Sequence, residues 1–78
     1  MNPQDLTIGQ SVRIHPATDL FMKGVVHAQV IRVGREYVTL YHSSSNTRHK
    51  CSFGFARAYF MNPNGEMMFE QEGVSHGA

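Results

Sequence analysis

Residues 24–42, G-V-V-H-A-Q-V-I-R-V-G-R-E-Y-V-T-L-Y-H, constrain the fold more than any other part of the chain. Apolar and polar residues alternate on both sides of Gly34, the period-2 signature of two strands that each turn one face to a core. Strict alternation in the first strand would bury either Ala28, Val30 and Arg32 or Gln29, Ile31 and Val33, and neither set is wholly suited to a core. One extra residue near Ile31 and Arg32, a β-bulge, removes the conflict and returns Val33 to the core side. The inward set is then Ala28, Val30, Val33, Val38 and Leu40, while Arg35, Tyr37, Thr39 and Tyr41 point outward. Bulges bend strands and let a short sheet curl over, so the expectation is an all-β fold built as a small, strongly bent antiparallel barrel.

The flanking sequence fits that plan. Gly9 precedes a short alternating run in which Val12 and Ile14 face the core and Arg13 faces water. Pro16 ends that strand, because it lacks the N–H a ladder needs. Residues 15–23 then read as a loop anchored by Leu20, Phe21 and Met22, and residues 1–5 as polar and loose. After the polar stretch 43–47, a fourth strand runs over 48–53. With a six-residue loop, His42 opposes His49, Leu40 opposes Cys51 and Val38 opposes Phe53, which puts both apolar sides together. Residues 54–58 suit one helical turn. Asn62-Pro63-Asn64-Gly65 is a turn signal between residues 59–61 and 66–69, giving a C-terminal hairpin. No internal repeat is visible.

Gly9, Val12 and Ile14, then Ala28-x-Val30-x-x-Val33, then Gly34 with Val38-x-Leu40, resemble the strand order of small SH3-like barrels, including KOW-type modules. A helical turn before the last strand is typical of them, and residues 55–58 fill it. The resemblance covers residues 6–61 and implies five to six strands, with the C-terminal hairpin as an addition. Barrels of this kind bind RNA or DNA, recognise peptides, or serve as small phage and mobile-element proteins, so the fold alone does not select a function. The Val-Gln-Ile-Tyr signature of the SH3-like plasmid dihydrofolate reductases is missing here.

Size and charge narrow the function classes. The 78 residues suit one domain, with a barrel over 6–70 and a flexible tail over 71–78. A chain this short hides only roughly 60% of its unfolded surface, so its core is thin. The net charge is +1, well short of a dedicated nucleic-acid clamp, yet the charge is unevenly placed. Between residues 13 and 50, six cations face two anions, so this middle section is basic by about +4. Glu66, Glu70 and Glu72 make the end of the chain acidic. One cysteine, Cys51, excludes an internal disulfide and suits a reducing compartment. With no signal-peptide pattern and no long apolar run, a cytoplasmic location with no membrane partner is expected.

The candidate binding residues are Arg32, Arg35, Tyr37, Tyr41, Arg48 and Lys50, which alternation gathers on one outer face. Aromatic rings can stack on bases while Arg and Lys neutralise phosphates, so the leading expectation is a non-catalytic module contacting nucleic acid or a nucleic-acid-associated complex. The competing expectation is a protein-interaction or inhibitor module that forms a homodimer through Tyr59, Met61, Met67 and Phe69, since Met side chains suit adaptable contacts. His42, His49 and Cys51 offer three positions of a tetrahedral zinc site but no fourth. Cys51 is more simply a core residue, so no metal and no cofactor are expected. Paired carboxylates and a glycine-rich phosphate loop are lacking, and the protein is not expected to be an enzyme.

Overall fold

A computed structural model describes residues 2–69. The elements are a 3-10 turn (Pro3–Asp5), β1 (Ser11–Ile14), α1 (Asp19–Met22), β2 (His27–Val33), β3 (Tyr37–His42), β4 (Thr47–Ser52), α2 (Phe53–Tyr59) and β5 (Phe60–Met61). The five strands form one antiparallel sheet in the order β4-β3-β2-β1-β5, curled into a half-barrel. The all-β architecture expected from the alternation is therefore present, with five strands. The proposed tail over 71–78 lies outside the described residues. No helix among the described residues is long and apolar enough to cross a membrane.

The core fills the concave side. Val12, Ile14, Val30, Val38, Leu40 and Phe60 are almost wholly buried there, joined by Val25, Ala28, Cys51 and Ala56. Leu20, Phe21, Val33, Phe53 and Phe55 pack against this cluster from its rim. The bulge in β2 sits where the conflict in the alternation demanded it. Val30 pairs with Leu40 and Arg32 with Thr39, so Ile31 is the extra residue. The β2–β3 turn closes with the Gly34 N–H donating to the Tyr37 carbonyl at 2.8 Å. A Cβ on residue 34 would lie 3.3 Å from that same oxygen, a tight contact that would need the turn to shift slightly.

The β3–β4 pairing differs from expectation by two residues. His42 pairs with Thr47, Leu40 with His49 and Val38 with Cys51. The loop is shorter than six residues because Asn46 adopts a left-handed backbone with φ 53°, which Asn tolerates better than most side chains. Its side-chain oxygen accepts a hydrogen bond from the Tyr41 hydroxyl at 2.8 Å, and its N–H donates to the Ser43 carbonyl. A two-residue shift preserves which side chains face inward, so the core is unaffected.

Other local corrections have similarly direct causes. Phe53 does not extend β4 but opens α2, because the Ser52 hydroxyl accepts from the Phe55 N–H at 3.1 Å and caps the helix. That helix spans seven residues rather than the expected five. Residues 2–5 are not loose. The Asn2 N–H donates to the Asp5 carboxylate at 3.1 Å, and Pro3 is buried. Within residues 15–23, Thr18 caps α1 by accepting from the Phe21 N–H. Leu20 and Phe21 reach the core rim, but Met22 is 81% exposed and anchors nothing.

The C-terminal hairpin is short. Gly65, at φ 93°, lets the chain reverse after Pro63, and Met61 then bridges to Met67. The Met68 N–H donates to the Phe60 carbonyl at 3.1 Å, holding this return against β5.

Candidate binding face and its surroundings

The convex side of β2, β3 and β4 carries two cross-strand rows. Arg32, Thr39 and Lys50 form one, and Gln29, Tyr41 and Arg48 the next. Tyr37 stands opposite Ser52 and diagonal to Lys50, whose Nζ lies 4.8 Å from the centre of the Tyr37 ring. That distance is a cation–π contact. Arg32, Arg35, Tyr37 and Lys50, with Thr39, line an open depression of about 430 Å³. Tyr37 is exposed, so its ring keeps a free face.

Four of the six expected binding residues are thus brought together around one depression. Tyr41 and Arg48 share the convex face but fall outside it. Tyr41 is half-buried with its hydroxyl held by Asn46, and it borders a separate hollow lined by Ser11, His27, Gln29 and Pro63. Arg48 lines a third depression at the free side of β4, with Leu20, Cys51 and Phe55. Glu36 also lines the first depression, which the outward alternation of residues 35–41 did not bring in, because Glu36 sits in the turn. Its carboxylate offsets one of three cations there. The signal was present in the two-residue turn Arg35-Glu36, which places both side chains beside the strand ends.

His42, His49 and Cys51 occupy the other side of the same strands. The His42 Nδ1 hydrogen-bonds the Ser45 hydroxyl at 2.7 Å, Ser45 the Thr47 hydroxyl at 2.7 Å, and Thr47 the His49 Nε2 at 3.0 Å. The two imidazoles are therefore linked through hydroxyls rather than turned together with the thiol. No group of three metal-binding side chains gathers among the described residues. Cys51 is buried opposite Val38, and burial pushes its thiol up from 9.0 to about 11. At neutral pH it is a protonated core side chain, a poor nucleophile.

The residues expected at a dimer contact differ in exposure, although Met61 and Met67 are bridged across the hairpin. Met61 and Phe69 are buried within the chain's own fold. Tyr59 is half-buried against His15 and Phe55, with ring centres 6.0 Å and 5.0 Å away. Met67 remains 38% exposed. No family model matches the chain, and comparison with curated proteins and with solved structures yields no match to either.

Proposed function

We propose that the protein is a small non-catalytic binding module whose convex depression takes up an unstacked stretch of nucleic acid. The observation that carries this reading is the convergence of Arg32, Arg35 and Lys50 around the exposed ring of Tyr37. A base stacks on the free face of Tyr37 while the three cations meet backbone phosphates. Single strands are favoured because only unstacked bases offer a face to one isolated ring. Cations in this number give a modest affinity, in keeping with a net charge of +1. Cys51 as a buried, protonated thiol supports a non-catalytic role.

The test is fluorescence anisotropy with a labelled oligothymidine at several salt concentrations. Three phosphate contacts on a single strand predict a slope of log affinity against log salt of about −2. Arg35→Glu combined with Lys50→Glu abolishes this binding and leaves the circular dichroism spectrum unchanged. Binding that ignores both substitutions, or none at low salt, removes the reading.

A further inference from the structure

We infer that the free side of β4 is a docking edge for a short, extended, acidic peptide strand. The Phe53 N–H donates to the Glu36 carbonyl, and Val38, Leu40 and His42 stand opposite Cys51, His49 and Thr47. In an antiparallel ladder these are the pairs that exchange bonds, and the residues between them turn their backbone groups to the other side. The N–H and C=O groups of Arg48 and Lys50 therefore point away from β3, beyond the last strand of the sheet. Among the described residues, no backbone hydrogen bond outside the ladders uses them. They form a ready template for one more strand.

The side chains along this edge state what that strand contains. Arg48 and Lys50 are exposed on the convex face, and among the described residues neither has a carboxylate partner. Residues placed directly opposite them turn their side chains to the same face, so glutamate or aspartate at those two places pairs with both cations. The residue between turns to the concave side. There it meets a depression of about 370 Å³ lined by Leu20, His49, Cys51 and Phe55, room for an aliphatic side chain. The recognised pattern is acidic–apolar–acidic in extended form.

Charge also argues against a second copy as the occupant. Antiparallel pairing of two β4 strands would set Arg48 and Lys50 against the same residues of the partner, and like charges across strands are destabilising. The proposal shares Lys50 with the nucleic-acid reading, but it uses neither Arg32 nor Arg35 and rests besides on the backbone groups of β4 and on the rim beneath that strand.

The experiment uses the full chain and a fluorescein-labelled peptide, Gly-Ser-Glu-Val-Glu-Ser-Gly, with three analogues. Replacing both glutamates by glutamine weakens binding by about tenfold, and N-methylation of both glutamate amides abolishes it, because those N–H groups face the edge. N-methylation of the valine, whose N–H faces solvent, leaves affinity within about threefold. Amide exchange slows at Arg48 and Lys50 on binding and is unchanged at His49. Lys50→Gln weakens the peptide and Arg32→Gln does not, whatever either does to oligothymidine. Equal effects of the two N-methylations, no binding at about 1 mM peptide, or protection of Arg48 and Lys50 in a peptide-free dimer would each overturn the proposal.

Discussion

At one edge of the sheet, β5 is two residues long, and the chain folds back over it through the Met61–Met67 bridge and the Met68-to-Phe60 hydrogen bond. At the other edge, β4 runs for six residues, no backbone hydrogen bond among the described residues reaches its far side, and Arg48 and Lys50 project from its convex face. Sheet edges left open invite other strands, and proteins guard them by covering them or by charging them. This chain uses one method at each edge. Covering consumes apolar residues in the interior, whereas charging leaves the edge accessible to a partner of opposite sign. The covered edge thus belongs to stability, and the charged edge is available for function.

The largest expected effect lies at the covered edge. Phe60 is fully buried at the junction of α2 and β5, and Phe60→Ala costs about 3 to 5 kcal/mol. A domain of this size has roughly 4 to 12 kcal/mol in all, so urea unfolding should show a variant at or near the limit of folding. A loss below about 1 kcal/mol would show that the covered edge contributes little.

Cys51 probes the inner side of the charged strand through pH. Its thiol ionises near 9.0 when unfolded and near 11 when buried, so the folded state favours the protonated form. The resulting stability is fully present below pH 9 and is lost as pH rises from 9 to about 11. The loss amounts to roughly 2 to 3 kcal/mol. Chemical denaturation of the wild type and of Cys51→Ala across this range isolates the effect, since the variant lacks the titrating group. Parallel curves for the two proteins would contradict the burial of the thiol.

The end of β4 depends on a cap. Ser52→Ala removes the hydroxyl that accepts from the Phe55 N–H and should cost about 1 kcal/mol by thermal or urea unfolding. Little or no change would mean that α2 is held by packing of Ala56 and Phe55 alone.

Smaller still are the effects of surface changes on stability, within about 0.5 kcal/mol, but here the two edges should part company. Arg48→Val with Lys50→Val removes the charge that guards β4, and sedimentation should show assembly that grows with concentration. Met67→Asp changes the covered edge and should leave the mass of the protein unaltered. A dimer of the native protein that dissociates on Met67→Asp would instead favour self-association through the C-terminal hairpin.

Much of this was legible from residue order. The two faces of β3 follow from Tyr37-Val38-Thr39-Leu40-Tyr41, and the bulge follows from the misfit of Arg32 between Val30 and Val33. The convex cluster of Arg32, Arg35, Tyr37 and Lys50 came from the same alternation. The exact β3–β4 pairing did not, because it depends on Asn46 closing a short loop in a backbone conformation that the residue permits without requiring. Met22 misled because apolar character alone does not say which side of a four-residue helix meets the core. The open edge of β4 was hidden for a different reason. Which strand comes last in a sheet is a property of the strand order, and no local stretch of sequence contains it.

The bulge in β2 has one more consequence. Reading His27-Ala28-Gln29-Val30-Arg32-Val33 with Ile31 left out gives an uninterrupted alternation that matches the observed pairs of Val30, Arg32 and Val33 with β3. The ladder therefore does not need Ile31, and what that residue supplies is curvature. Bend and pairing are thus separable at this point, and deleting Ile31 should straighten β2 locally while Val30, Arg32 and Val33 keep their partners in β3.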